Sequence, residues 1–299
     1  MMLHKLKARE YKLLLKPDRF SESALEKVER FWNDRMKRLI DDELGQDDQG
    51  SSRHEGRFSP TEVRVVRYWD TADCLLTRAH LTLRERRQID KLAKSDECQI
   101  TLKLRMPDMF VVADAQLDAS SADHTKFEED IAPLEVDNPA SDGQPVSISP
   151  SRSIRSRFSL STTKDRQWSE GIANLGNAQQ MFSKLADHLP FGTNFDPQRA
   201  LIAGPSIREE VFENARVRLG ANVTGKFALT LWFFDRPAPH VAEISFKSKT
   251  ANGEMPGKAA RRGLKLFIGM QNQLSDWINA DYSSKTALAL PGNCGNWSE

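Results

Sequence analysis

The chain has 299 residues, 39% hydrophobic and 28% charged, enough to bury a core in one large domain or two small ones. Its 43 Lys and Arg balance 42 Asp and Glu, so it lacks the basic excess of a general nucleic-acid binder, and any anion site must be a local concentration of charge. Cys74, Cys98 and Cys294 have no metal-ligand spacing and fit a reducing cytosol better than a disulfide framework; with no apolar signal core and no run long enough to span a bilayer, a soluble cytoplasmic protein is expected.

In chain order, Lys7 to Lys16 reads as a strand, with Tyr11, Leu13 and Leu15 on one face and Glu10 and Lys12 on the other. Ser23 to Leu44 reads as a helix: Ser23 and Glu26 form a capping box, and Leu25, Val28, Trp32 and Leu39 follow helical spacing. A polar linker, 45–60, precedes a second strand from Thr61 to Trp69, which ends in the turn residues Asp70 to Asp73. Two further strands follow. In the first, Leu81 and Leu83 alternate with Thr82, Arg84 and Arg86; in the second, Ile100, Leu102 and Leu104 alternate with Thr101, Lys103 and Arg105. Neighbouring strands that place long cations two residues apart on one face ask for an anionic partner.

A fifth strand, Thr125 to Ile131, sets Phe127 and Ile131 against Lys126, Glu128 and Asp130. Residues 133–169, rich in Ser, Pro, Asp and Arg, show no periodicity and read as a flexible insertion carrying Arg152, Arg155 and Arg157. Ala178 to Leu189 predicts a short helix with Met181, Phe182, Leu185 and Leu189 as its apolar stripe. The strand Ser206 to Phe212 sets Arg208 and Glu210 against Ile207 and Val211. The stretch Gly220 to Lys226 approaches a phosphate-cradling loop, but Phe227 stands where Ser or Thr would hold magnesium and a strand-forming run follows, so a hairpin is expected. Phe227 to Phe234 and Val241 to Lys249 are the last strands, the latter with Glu243, Ser245 and Lys247 on its polar face. A final helix, Gly257 to Tyr282, is expected to bury Leu264, Phe267, Ile268, Leu274, Trp277 and Ile278, and 283–299 to form a loose tail.

Eight strands sharing a polar face predict an α+β fold: a closed eight-stranded antiparallel β-barrel with flanking helices, one domain over 1–282. The rival is an open sheet whose charged face meets solvent. Closure makes that face a lumen lined by Lys12, Arg84, Arg86, Lys103, Arg105, Lys126, Arg208 and Lys247, with Glu10, Glu128, Asp130, Glu210 and Glu243 among them. So many ions in one interior require water, metal ions or a polyanion.

These residues resemble the motifs of the CYTH superfamily, the triphosphate tunnel metalloenzymes. Glu10-Tyr-Lys12 resembles the end of the N-terminal Glu-x-Glu-x-Lys, Tyr68 to Asp73 the aromatic Asp-Thr strand end, and Leu81 to Arg86 the Leu-Arg-x-Arg strand. Ile100 to Arg105 resembles the Leu-Thr-Leu-Lys strand, Lys126 to Asp130 the Arg-x-Glu-x-Glu strand, and Glu243 the start of the last acidic strand. Ala8 and Ser245 stand where the family places two further acids. The resemblance implies a tunnel in which Lys12, Arg84, Arg86, Lys103, Arg105, Lys126, Arg208 and Lys247 hold phosphates, while Glu10, Glu128, Asp130 and Glu243 act in catalysis and hold a divalent ion, Mg2+ or Mn2+. The implied activity is hydrolysis of a phosphoanhydride in inorganic triphosphate or a triphosphate-containing small molecule. The alternatives are a non-catalytic binder of polyphosphate, nucleotide or triphosphorylated RNA ends, and a cyclase acting on a nucleoside triphosphate.

Overall fold

The computed structural model describes residues 3–21, 24–89, 97–119, 125–136, 147–148, 153–280 and 285–297. Its organising element is a closed barrel of nine strands: β1 Ala8–Leu15, β2 Ser59–Asp70, β3 Leu81–Gln88, β4 Glu97–Met106, β5 Thr125–Pro133, β6 Ile154–Gln167, β7 Ile207–Glu213, β8 Val223–Phe233 and β9 Val241–Lys249. Around the ring the order is β2, β3, β4, β6, β5, β1, β9, β8, β7 and back to β2. Neighbours are antiparallel except β1 and β5, which run parallel with Ala8 opposite Glu128 and Tyr11 opposite Ile131. The expected eight-stranded antiparallel barrel is therefore corrected to nine strands and mixed pairing, and the open sheet is set aside. Closure leaves no barrel strand with an unpaired edge.

The ninth strand is β6, inside the stretch read as a flexible insertion. Its serines and threonines follow a strand period: Leu160 is buried outside the barrel, while Ser161 and Thr163 line the lumen. Two further expectations of looseness fail. Phe58, in the predicted linker, is fully buried against Trp32, with ring centroids 5.4 Å apart. The predicted loose tail packs Ala289, Leu290 and Cys294 among Val66, Tyr68, Ile207, Trp232 and Val241.

Period two puts the apolar side chains of each strand outward, where helices cover them. Helical residues 24–44, comprising Ala24–Phe31, a π-helical stretch Trp32–Met36 and Lys37–Leu44, pack with the helix Gly257–Gln273 against β1, β8 and β9. Ser23 of the expected capping box lies outside the described residues. The last helix ends at Gln273 rather than Tyr282; of the residues expected to be buried, Phe267, Leu274 and Ile278 are, Ile268 and Trp277 are half-buried and Leu264 is exposed, while Gly263, Leu266 and Met270 are buried as well. Under it Tyr11 stacks on Phe246 at 4.6 Å. The predicted helix Ala178 to Leu189 is instead Leu175–Met181 followed by a 3-10 turn, Leu185–His188, and both pack over β3, β4 and β6. The stretch after Gly220 is the expected hairpin, joining the short strand Arg216–Gly220 to β8. No helix among the described residues is long and apolar enough to cross a membrane.

Candidate functional site: the barrel lumen

The inward faces enclose a cavity of about 1360 Å³ in which basic side chains outnumber acidic ones about two to one. Strand register places them. On β3 and β4, Arg84 lies opposite Thr101 and Lys103 opposite Thr82, so Thr82, Arg84, Arg86, Lys103 and Arg105 all enter the lumen while Leu83, Leu102 and Leu104 are buried outside. Lys12 and Glu10 enter from β1, Lys126 and Glu128 from β5, and Glu243, Ser245 and Lys247 from β9.

The charged groups fall into two clusters. In the first, Asp130 is the hub: Lys12 Nζ lies 2.7 Å from Oδ1, and Lys103 Nζ and Arg105 Nη2 lie 2.9 and 3.2 Å from Oδ2. Beside it Glu10 meets Lys12 at 3.2 Å and Lys247 at 3.3 Å, and its Oε1 accepts from the Ser245 hydroxyl at 3.2 Å. Lys247 also reaches Glu128 at 3.1 Å. Burial pushes Asp130 up, but Lys103, Lys12 and Arg105 outweigh it and hold the carboxyl well below the usual range. Burial likewise acts against Glu10, yet Lys12 and Lys247 hold it at about 2. Lys103 is different. Burial, then the repulsion of Arg105 and Lys12, outweigh Asp130 and bring its ammonium down to about 7.

The second cluster was only half visible in the sequence. Its hub is Glu209, 1% exposed, which accepts from Trp232 Nε1 at 2.7 Å and pairs with Arg64 at 2.5 Å and Arg86 at 3.5 Å. Burial would raise this carboxyl, but Arg86, Lys285 and Arg64 hold it low. Arg86 itself is brought down to about 9 by burial and by Arg84 alongside. Across the lumen, Lys285 Nζ lies 2.8 Å from Glu243 and 4.8 Å from the Trp232 ring centroid. Arg84, Arg86 and Arg105 each keep a buried Nε with no hydrogen-bond partner, and Arg84 has no acidic partner among the described residues.

Two predicted lumen residues lie elsewhere. Arg208 and Glu210 sit on the opposite face of β7; Arg208 is exposed, stacks over Phe233 at 4.0 Å and pairs with Glu210. The lumen takes Glu209, Val211 and Glu213 instead. Ile207 and Val211 made the odd positions look like the core face, but here they are buried at the lumen wall. Glu209, Arg64 and Lys285 were missed. Glu209 reads as one more charge in a mixed strand, and Lys285 lies in what read as a tail.

The acids do not fit a divalent ion. A metal needs several oxygen donors converging on one point, and among the described residues no such group of three carboxylates, histidines or cysteines forms. Glu10 and Glu128 share Lys247, Asp130 is taken by three cations, and Glu243 is paired with Lys285. The cysteine expectation also changes. Cys74 and Cys294 form a disulfide with Cα atoms 5.2 Å apart, across 220 positions of sequence, and only Cys98 is free. No spacing rule could reveal that pair, because the chain end returns across the whole barrel to meet the turn after β2.

The closed barrel with a charged lumen is the tunnel architecture that the motif resemblance implies. No family model and no curated protein matches the chain. Among solved structures, it is similar to a Hippeastrum protein designated an adenylyl cyclase and described as having a dominant triphosphatase activity, at 14% identity, TM-score 0.42, covering 95% of this chain and 94% of that one. It is also similar to a Bacillus halodurans protein designated an adenylate cyclase, at 11% identity, TM-score 0.37, covering 94% and 95%. At that distance neither likeness bears on what the tunnel binds.

Proposed function

We propose that the lumen binds the triphosphate group of a small molecule and that the protein hydrolyses one of its phosphoanhydrides. The observation that carries binding is the set of three guanidinium groups, Arg84, Arg86 and Arg105, whose buried Nε donors have no partner in a cavity already rich in cations. Buried donors of this kind are costly unless an acceptor meets them, and phosphoryl oxygens are strong acceptors of charge-assisted hydrogen bonds. Lys12, Lys103, Lys126 and Lys247 add charge around the same space. Lys103, at about 7, changes protonation near neutral pH and can hold or release a proton beside the phosphates.

The expected metal role of Glu10, Glu128, Asp130 and Glu243 is not carried over, because each is already committed to a cation. That same observation favours a second reading, a non-catalytic binder of the same anion. Phosphate release from tripolyphosphate, thiamine triphosphate and ATP, with magnesium, manganese or chelator, separates the two. Release from any of them at a rate that falls in Arg84→Ala supports hydrolysis. Tight binding without release under every condition leaves the binder.

A further inference from the structure

A second cavity, a groove of about 610 Å³, lies outside the barrel at the rim where β3 begins and β4 ends. Leu104, Phe110, Val111 and Pro190 give it an apolar wall, and His80 and Met106 line both this groove and the lumen. Strand geometry brings the two spaces together. Leu104 is buried on the outer face of β4, Arg105 enters the lumen, and Met106 ends the strand. His80, just before β3, has left-handed backbone (φ 58°) and accepts the Arg105 N–H at 3.0 Å. The groove and the Arg105 guanidinium therefore stand on two sides of one strand end. The groove's far wall is the helix Met109–Asp114. Asp108 accepts from the N–H groups of Phe110 and Val111 at 2.8 and 3.1 Å, which fixes the first turn, and Val112 and Ala113 anchor the helix in the outer core. Phe110 and Val111 are left 68% and 49% exposed. An aromatic and a β-branched side chain held out on an anchored helix beside a groove of this size make a binding wall.

We propose that this outer groove is a specificity subsite: it holds a planar heteroaromatic group, packed on Phe110 and Val111, whose triphosphate enters the lumen past His80 and Met106. The proposal rests on the reading of the lumen as a triphosphate site. Two shared residues join the spaces, which favours one molecule spanning both over a separate partner seated on the groove. Its apolar wall offers nothing to inorganic triphosphate, which has no apolar surface to bury, and rewards a ring that leaves water there. Arg105, on the inner side of the strand end, then holds the phosphate nearest the ring. The groove thus sets a preference for organic over inorganic triphosphate, while the lumen arginines act on both alike.

The test compares tripolyphosphate, ATP and thiamine triphosphate by calorimetry on the full chain. The wild type binds at least one of the two esters more tightly than tripolyphosphate, and the ester with the larger preference identifies the ring. Phe110→Ala removes an exposed side chain and lowers that preference by roughly tenfold. Arg84→Ala weakens ester and tripolyphosphate together and keeps their ratio. Equal affinity for all three in the wild type, or a preference untouched in Phe110→Ala, overturns the proposal, and tripolyphosphate binding in that case leaves the lumen reading standing. If none of the three binds, the lumen reading falls, and the groove is judged on its own in Phe110→Trp. Quenching of the added indole by adenosine or thiamine, relative to the wild type, then supports a heteroaromatic site in the groove, and no quenching overturns it.

Discussion

Arg84 and Arg208 carry the same guanidinium, but Arg84 enters the lumen with a partnerless Nε while Arg208 lies over Phe233 on the outer wall. Arg84→Ala is therefore expected to weaken tripolyphosphate binding by roughly tenfold or more, and Arg208→Ala to leave it unchanged; equal losses by calorimetry would contradict the inward and outward assignment. Lys103 adds a pH signature. Its ammonium titrates at about 7, and a bound polyanion favours its charged form, so binding above neutral pH takes up a proton and weakens as pH rises. The part of that pH dependence due to Lys103 disappears in Lys103→Gln, as measured by titrations in buffers of different ionisation heat. At this scale the sequence was most legible where alternation was unbroken, as in Arg84, Arg86, Lys103 and Arg105. It misled at Arg208 because β7 is apolar on both faces: Ile207 and Val211 are buried on the lumen side and Phe212 on the outside.

β6 shows the limit of periodicity for a whole element. Midway along it the inward positions are small hydroxyl residues, Ser159, Ser161 and Thr163, facing Arg105, Lys103 and Thr101 of β4 in register, with Arg155, Arg157 and Asp165 lining the cavity toward the two ends of the strand, so the strand reads as a polar, loop-like stretch although it is paired on both sides. Small side chains at these positions leave the lumen room. Leu160→Ala, which opens a cavity in the outer core, is expected to cost about 2–5 kcal/mol in denaturant unfolding, whereas Ser161→Ala changes stability little. A stable Leu160→Ala variant would return the stretch to the insertion first expected. The three longer helical stretches were legible in place, but the short helices Leu75–Arg78 and Met109–Asp114 were not. The last helix buries Phe267 as expected but takes Leu266 inward in place of Leu264, because the strands below, not its own sequence alone, decide which residues meet Tyr11 and Phe246.

For the whole molecule, closure was legible from the shared charged face, while the parallel pairing of β1 with β5 was not, since alternation says which face is inward and nothing about which strands are neighbours. Closure also sets the pH response. Glu10, Asp130 and Glu209 have folded-state pKa values below the ordinary carboxylate range, so their stabilisation is present above that range and is lost as pH falls toward about 2. Lys103 acts in the opposite sense to a paired lysine: the unfolded chain binds more protons than the folded one between about 7 and the ordinary lysine range, so stability rises with pH across that window. Thermal melts should show both slopes, and Lys103→Met should remove the second. The most direct test of the central claim, that the lumen is a triphosphate site, is calorimetric titration of tripolyphosphate into wild type and the Arg84→Ala/Arg105→Ala double variant at low salt. One site per chain that weakens with added salt, and is lost or reduced at least tenfold in the double variant while the fold is kept, is the expected result. No binding to the wild type, or equal binding to both, would contradict it.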